Sequence, residues 1–312
     1  MPADIPIHWW IIFNAFVFVM LALDLGVFHK KAHVVKVKEA LGWTTVWIVL
    51  ALIFNGWIGW QLGPQKGQEF FAGYILEKSL SVDNVFVFAV IFSFFKVPRE
   101  LQHKVLFWGI FGALALRAGM IAGGAALLTH FAWVMYLFAA LLIYTGIKMF
   151  FHDENSVDPS KSIAVKLLKK TMPMTPDYRG DHFIVKEGGK RMATPLLAVL
   201  ICVEVTDVIF AVDSIPAIFA ITTDTFIVYT SNVFAIMGLR ALYFAIAGIL
   251  PYFHFLKYGL GVILTFVGAK MSLAHTAWKI DTNVSLAVIG GVLAIATIAS
   301  VIHRKMNPEK EA

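Results

Sequence analysis

The sequence predicts an all-α fold: a polytopic helical membrane protein with about nine transmembrane helices and an inverted repeat of three helices in each half. Composition is the first basis, because 59% of the 312 residues are hydrophobic, 15% are charged and the mean hydropathy is +0.76. Soluble domains are much more polar than this. The second basis is that the apolar residues fall in runs of about 20, and the third is a set of landmarks that occurs twice.

Each apolar run is long enough to cross a hydrocarbon core of about 30 Å. We place the runs at 9–28, 43–62, 70–95, 105–128, 131–151, 194–221, 226–250, 255–274 and 284–302. They predict a single membrane domain over residues 1–312. Its parts are two leading helices (9–62), a first three-helix repeat (70–151), a cytoplasmic linker (152–193), an inverted second repeat (194–274) and a final helix (284–302).

The basic residues between the runs predict the orientation. They follow the first, third, fifth and ninth runs: Lys30, Lys31, Lys36, Lys38, Lys96, Arg99, Lys104, the Lys and Arg residues from Lys161 to Arg191, Arg304, Lys305 and Lys310. The connections on the other side contain only Lys66 and Lys279. The positive-inside rule then predicts an outside N-terminus, with the linker and the C-terminus in the cytoplasm. Orientation therefore explains the charge of +6 better than a nucleic-acid partner does.

The linker contains several prolines and the pair Gly188-Gly189, which interrupt regular structure. Within it, residues 163–170 fit either a short amphipathic helix on the cytoplasmic leaflet or part of a flexible tether. Both interpretations stay open at this point.

Three landmarks recur in the same order in the two halves. They are Glu77 with Asp83 against Asp207 with Asp213, Phe111-x4-Leu116-Arg117-Ala118 against Phe234-x4-Leu239-Arg240-Ala241, and Gly146-x-Lys148-Met149 against Gly268-x-Lys270-Met271. Because each repeat has three spans, an odd number, the two halves enter the membrane from opposite sides. In transporters built this way, the site lies near the midplane at the repeat interface.

The second acidic stretch, with Glu204, Asp207 and Asp213, is unusual inside an apolar run. An acidic residue near the centre of a membrane helix costs roughly 2.5–3.5 kcal/mol on insertion scales. The earlier stretch repeats it more weakly with Glu77 and Asp83. Carboxylates kept at such a cost predict an ion or substrate site.

Helical geometry groups the polar residues into faces. Asn84 is seven residues after Glu77, as Ser214 is after Asp207, so each pair shares a face. The six-residue steps to Asp83 and Asp213 instead differ by roughly 120° on an ideal helix. This requires either a wide cavity or a break in the helices, and Pro216 favours a break that frees the carbonyl of Val212.

Carboxylate, amide, hydroxyl and carbonyl oxygens suit divalent cations such as Mg, Ca or Mn. No His or Cys lies deep in the two acidic stretches, which argues against a dedicated Zn or Cu site. The alternative is that the carboxylates only form buried ion pairs with Arg117, Arg240, Lys148 or Lys270. We expect Arg117 and Arg240 to compensate the carboxylates. Asp24, at the end of the first run, fits a ligand or an interfacial residue equally well.

Signatures of enzymes are missing. Neither Asp83 nor Asp213 lies in the G-x-G-D context of an intramembrane aspartyl protease, and no phosphate-binding loop, G-x-S-x-G or H-E-x-x-H occurs. The single Cys202 excludes an intramolecular disulfide. We therefore expect no enzyme and no tightly bound cofactor; the partners are the lipid bilayer and a divalent cation, with no nucleic acid, and the oligomeric state stays open.

At these residues the chain resembles the TerC family of integral membrane proteins, which is named for tellurite resistance. The resemblance covers nearly the whole chain and is carried by Glu77-Lys-Ser-Leu-Ser-Val-Asp83-Asn84, Ala193-Thr-Pro-Leu, Glu204-Val-Thr-Asp207, Phe210-Ala-Val-Asp213-Ser-Ile-Pro216-Ala, Leu21-Ala-Leu-Asp24-Leu-Gly-Val-Phe-His29 and Leu239-Arg240-Ala-Leu-Tyr-Phe244. Val205 departs from the pattern, in which an aromatic residue is expected. This difference should affect packing rather than chemistry.

The resemblance implies an inner-membrane protein of a lysine-exporter-type superfamily whose members are implicated in manganese efflux and in metal supply to exported proteins. It implies that the metal pathway contains Glu77, Asp83, Glu204, Asp207 and Asp213, together with Asp24. The hypothesis is then a secondary transporter that exports a divalent cation, most simply Mn²⁺, with protons as a conceivable counter-ion. Two alternatives are a membrane scaffold in stress resistance and an exporter of a small organic solute.

Overall fold

The computed structural model describes residues 5–26, 37–151, 163–246 and 255–306, apart from residues 275, 277 and 279. This part of the chain is helical except for one small hairpin, which confirms the predicted all-α membrane fold. The elements are α1 (Ile7–Gly26), α2 (Val37–Leu62), α3 (Pro64–Phe94), α4 (Arg99–His130), α5 (Val134–Lys148), α6 (Ile163–Thr171), β1 (Ile184–Glu187), β2 (Lys190–Ala193), α7 (Pro195–Phe219), α8 (Thr225–Met237), α9 (Leu239–Ile246), α10 (Leu256–Ser272) and α11 (Thr282–Met306).

Five helical segments of the described chain are long and apolar enough to cross a membrane. They are Val37–Leu62, Arg99–His130, Pro195–Phe219, Thr225–Ala245 and Thr282–His303. Helix α3 is also long, at 31 residues, but it carries Glu77, Lys78 and Asp83 in its central part. These charged residues make α3 more polar than its neighbours. Charged side chains are the costliest to place in hydrocarbon.

The two halves pack as an inverted repeat. Near the C-terminal end of α5, the α-carbon of Gly146 packs against Thr265 of α10, and Gly268 of α10 packs against Ile143 of α5. These two contacts are repeat equivalents of each other, and together they make α5 and α10 antiparallel. Glycine permits this approach, since a Cβ at Gly268 would lie 2.8 Å from the carbonyl oxygen of Ala139.

Helices α3 and α7 are likewise repeat equivalents that run antiparallel. Thr222, just after α7, donates a hydrogen bond to Glu69 near the start of α3. Farther along α3, Gly73 packs near Ile218 of α7. In contrast, α4 runs parallel to α7, because Gly109 faces Val203 and Gly124 faces Phe219. These directions are the ones that two oppositely inserted halves require.

Helix α7 is continuous through Pro216, so the predicted break between Asp213 and Pro216 is wrong. Proline removes one hydrogen bond inside a helix, but Pro216 lies in the final turn before the helix ends at Phe219. That turn is fully buried, and its packing holds it in place. The chain bends instead at Gly238, which separates α8 from α9.

The linker between the two repeats forms a helix and a hairpin in its described part. Helix α6 packs against α7 and buries Val165, which supports the short-helix interpretation of this segment over the tether. Strands β1 and β2 pair antiparallel, with Val185 opposite Met192. The hydroxyl of Tyr178 donates to the carbonyl of Phe95 at 2.8 Å and thereby ties the linker to the end of α3. The sequence did not predict the hairpin.

Candidate functional site

Arg117 of α4 is bound to two carboxylates where α3, α4 and α7 meet. Its Nε and Nη2 donate to Oδ2 and Oδ1 of Asp207 at 3.1 and 2.9 Å. Its Nη1 donates to Glu77 and, at 3.2 Å, to the hydroxyl of Ser214. All four side chains are almost fully buried. One guanidinium therefore joins two carboxylates that the repeat relates to each other.

Glycines of α4 allow this arrangement. A Cβ at Gly109 would lie 3.0 Å from a methyl group of Val203, and one at Gly112 would collide with the carboxylate of Glu204. Small residues let membrane helices approach closely. Because α4 and α7 touch along this stretch, Arg117 reaches Asp207 with the bidentate geometry that favours strong arginine–carboxylate pairs.

A cavity of about 130 Å³ lies beside the Arg117 cluster. Helical periodicity places Glu77 and Asn84 on one face of α3, and both line this cavity. The lining residues are Glu77, Leu80, Asn84, Arg117, Thr145, Met149, Phe210, Asp213, Ser214 and Leu264. The space is sufficient for a cation and several water molecules.

Two oxygens of residues that line the cavity lack a hydrogen-bond partner within the described structure. They are Oε2 of Glu77 and Oδ1 of Asn84, and both are buried. A buried polar atom without a partner costs roughly 1–3 kcal/mol. A cation or an ordered water in the cavity would remove this cost.

Asp213 lies on another wall of the same cavity and has a different environment. Its Oδ1 accepts a hydrogen bond from the hydroxyl of Thr145 at 3.0 Å. The positive charge of Lys148, farther along α5, also attracts it. The two aspartates of α7 therefore have separate roles: Asp207 is held by Arg117, whereas the carboxylate of Asp213 borders open space.

Glu204 lies outside this cavity. Its carboxylate packs against the backbone of α4 at Gly112, and its Oε2 has no hydrogen-bond partner among the described residues. A second, much smaller cavity of about 10 Å³ lies near it, lined by Asp207 and by apolar residues that include Val203 and Leu239. The Arg117–Asp207 pair therefore stands between the two cavities.

Two predicted site residues, Asp24 and Asp83, belong to α1 and α3, but their side chains lie outside the described part of the structure. Arg240, the repeat equivalent of Arg117, lies in α9 and is 7% exposed. Among the side chains that the structure does describe, no group of three or more His, Cys, Asp or Glu is arranged as a metal site.

The charges of the site nevertheless favour a cation. Glu77, Asp207 and Asp213 carry three negative charges when ionised, against one positive charge on Arg117 at the centre of the cluster and one on Lys148, which attracts Asp213. The cavity adds neutral oxygens from Asn84 and Thr145. Such a set of hard oxygen donors resembles the ligands of divalent cations that keep part of their water shell.

Sequence reasoning missed Thr145, Met149 and the apolar lining residues. Thr145 directly precedes the landmark that begins at Gly146. Its position one helical turn before Met149 could have indicated that the two residues share a face of the helix. It also missed a polar cluster at the other end of α3. There Lys66 lies 2.9 Å from Glu69 and 3.1 Å from Asp224, which caps α8.

Comparison with known proteins gives a consistent family. Residues 62–308 match the model of the "Integral membrane protein TerC family". An uncharacterized membrane protein of Myxococcus xanthus is 52% identical over 303 residues, which cover 97% of this chain and 95% of the relative. One from Rickettsia felis is 43% identical over 297 residues, with 95% and 98% covered.

A third relative carries a functional description. The Escherichia coli K12 protein named "Putative membrane-bound redox modulator Alx" is 46% identical over 298 residues, with 93% of this chain and 92% of the relative covered. No solved structure matches the chain.

Proposed function

The chain belongs to the TerC family of integral membrane proteins, and from this premise we propose that it is a secondary transporter that exports a divalent cation, most simply Mn²⁺. The cation would bind in the cavity beside Arg117. Glu77, Asn84 and Asp213 would coordinate it, with the hydroxyls of Ser214 and Thr145 nearby. Asp83 and Asp24 are retained as pathway residues on the strength of the sequence.

The observation that carries the proposal is the pair of unpartnered oxygens, Glu77 Oε2 and Asn84 Oδ1, on residues that line a cavity also bordered by Asp213. If the carboxylates served packing alone, the cluster would be expected to fill its own space and satisfy its own atoms. Asp207 fits that description, because Arg117 binds both of its oxygens. Glu77 and Asp213 do not, and they border room for a cation.

Transport would use the inverted repeat. The site lies between α3 and α7, the first helices of the two repeats, and one repeat would rock against the other to expose it alternately on each side. Protons are the simplest counter-ion, because protonation of a carboxylate removes a ligand and releases the cation. In the proposed orientation, in the inner membrane, the N-terminus is outside and the linker and C-terminus are cytoplasmic.

The test is the total metal content of cells with and without the protein. Cells that lack it should accumulate Mn²⁺ under manganese load, and the wild-type chain should restore the low level. Asp213→Asn should fail to restore it while reaching normal abundance in the membrane. Asp83→Asn should behave in the same way. Asp181→Asn is the matched control, since that carboxylate is exposed in the linker, and it should export as the wild type does.

Two results would contradict the proposal. If cells with and without the protein had the same metal content, and Asp213→Asn mainly lowered the abundance of the protein in the membrane, the carboxylate would be structural and the chain a membrane scaffold. If no metal differed between the strains while an organic solute accumulated without the protein, export of that solute would replace export of a cation.

A further inference from the structure

Glu77 and Asp207, which share one arginine, are also equivalent positions of the two repeats. Exchange of the two repeats carries Glu77 to Asp207 and Asp207 back to Glu77, while Arg117 is carried to Arg240. In the structure, the guanidinium that holds both carboxylates belongs to Arg117. The shared pair is therefore symmetric in the sequence, and in the described structure Arg117 binds both of its carboxylates.

The cavity is also asymmetric with respect to the two repeats. It is lined by Thr145 and Met149 at the C-terminal end of α5. Their equivalents in α10 are Val267, which is fully buried, and Met271, which is 1% exposed. Other lining residues occur as equivalent pairs, Leu80 with Phe210 and Asn84 with Ser214, so the cavity reaches the axis that relates the repeats. Thr145 and Met149 thus line the cavity while their α10 equivalents are buried outside it, and α10 contributes Leu264 instead.

We infer that the protein has a second state in which Arg240 replaces Arg117 on the Glu77–Asp207 pair and the cavity opens beside Met271. This inference rests on the proposed transport function and deepens it, because it names the positioning residue of each half of the cycle. The carboxylate pair would stay buried and paired in both states. Each arginine would hold the pair while its own side of the site is open.

The physical reason is the cost of a buried charge without a partner. Breaking a buried ion pair is strongly destabilising, so a movement that released Arg117 and offered no replacement would be slow. An equivalent arginine on the other repeat removes that cost. Arg240 is positioned by the repeat to provide it, since it follows Phe234 with the same spacing by which Arg117 follows Phe111.

The experiment is labelling of single cysteines with a membrane-impermeant maleimide in right-side-out and inside-out vesicles. The background is Cys202→Ser, which removes the one native thiol. Met149→Cys and Met271→Cys report on the two ends of the site. Lys190→Cys, in the exposed hairpin, marks the linker side of the membrane. We expect Met149→Cys to react from the same side as Lys190→Cys and Met271→Cys to react, more slowly, from the opposite side.

The arginines are then changed in each reporter. Arg117→Gln should raise the ratio of Met271→Cys to Met149→Cys labelling by about tenfold or more, because the observed state loses its ion pair. Arg240→Gln should lower that ratio. If either glutamine variant is poorly inserted, Arg117→Lys and Arg240→Lys test the same opposite shifts, since lysine keeps the charge but lacks the bidentate fork.

The inference is overturned if Met271→Cys reacts only from the linker side or never reacts in the parent protein, or if both arginine variants shift the ratio in the same direction. Labelling does not require cation flux, so the two proposals fail separately. If the two cysteines were labelled from opposite sides but metal content did not change, the proposal of cation export would be refuted and the inference of two states would stand. If metal were exported but Met271→Cys never reacted, the proposal of cation export would stand and the replacement of Arg117 by Arg240 would be refuted.

Discussion

Arg117 holds Asp207 through two parallel hydrogen bonds, of 3.1 and 2.9 Å, that join α4 of the first repeat to α7 of the second. Both side chains are 2% exposed. The same guanidinium reaches Glu77, so a single positive charge holds three helices together at the centre of the molecule. The stability of the bundle and the charge of the cavity therefore depend on one residue.

Replacing Arg117 should destabilise the protein strongly. In the observed state, Arg117→Gln removes the cation that binds Glu77 and Asp207, and such a loss costs about 3–5 kcal/mol. We expect a lower Tm of the purified protein in detergent and lower abundance in the membrane.

A matched variant separates charge from packing. Combining Arg117→Gln with Glu77→Gln and Asp207→Asn removes the uncompensated charges and should recover most of the lost stability. If the combined variant were as unstable as the single one, packing of the arginine side chain rather than its charge would account for the loss.

The hydrogen bond from Thr145 to Asp213 links α5 to the cavity. Thr145→Val keeps the shape but removes the donor, and we expect a loss of about 0.5–1.5 kcal/mol in the free energy of unfolding. Manganese export should fall as well, because the carboxylate is no longer oriented. Thr145→Ser retains the hydroxyl and should preserve both properties. Equal behaviour of the valine and serine variants would show that this hydrogen bond is unimportant.

The contact between α5 and α10 predicts a position-specific effect of alanine. A Cβ at Gly146 would lie 2.6 Å from the carbonyl oxygen of Gly261 and would also collide with the hydroxyl of Thr265. Gly146→Ala should therefore push the helices apart and lower stability by about 1–3 kcal/mol. Gly123→Ala is the control, because no heavy atom lies within 4 Å of its Cβ position. Similar Tm values for the two variants would refute the close approach.

The linker predicts a small pH dependence. The hydrogen bond from Lys104, at 2.7 Å, lowers the pKa of Asp181 below its ordinary value of 3.8. A carboxyl with a lower pKa in the folded state stabilises the fold above the unfolded value, and this contribution disappears as pH falls through the folded pKa. Because the pair is exposed, the effect should be about 0.2–1 kcal/mol.

The measurement is the difference in Tm between wild type and Asp181→Asn. The wild type should be the more stable protein at pH 7, and the difference should decline as pH falls below the ordinary aspartate pKa of 3.8. It should also shrink in high salt, which screens exposed charges. A difference that grew on acidification would have the wrong sign for this ion pair.

Most of the architecture follows from local properties of the sequence. The length of an apolar run and the charge of the connections do not depend on distant residues, so they predicted the helical membrane class. The recurrence of Gly146-x-Lys148 at Gly268-x-Lys270 predicted the inverted repeat, because an odd number of spans reverses the second half. The structure confirms this fold class through the antiparallel contacts of α5 and α10.

Other features depend on how helices rotate and approach one another. The six-residue spacing of Asp207 and Asp213 was compatible with a break in the helix or with a wide cavity. The structure excludes the break, because packing of the last turn keeps α7 continuous. The sequence identified Arg117 as a compensating charge but not its partners. These depend on the close approach of α4 to α7 at Gly109 and Gly112.

The sequence by itself determined that this protein is a helical membrane protein with carboxylates and arginines repeated in two opposed halves. Only the tertiary structure decided that Arg117 holds Glu77 and Asp207 while Asp213 borders open space. The physical reason is range. Hydropathy and helical periodicity act within one segment, whereas an ion pair between helices forms only where backbone contact, set by glycines and by the packing of distant side chains, brings the charges within about 3 Å.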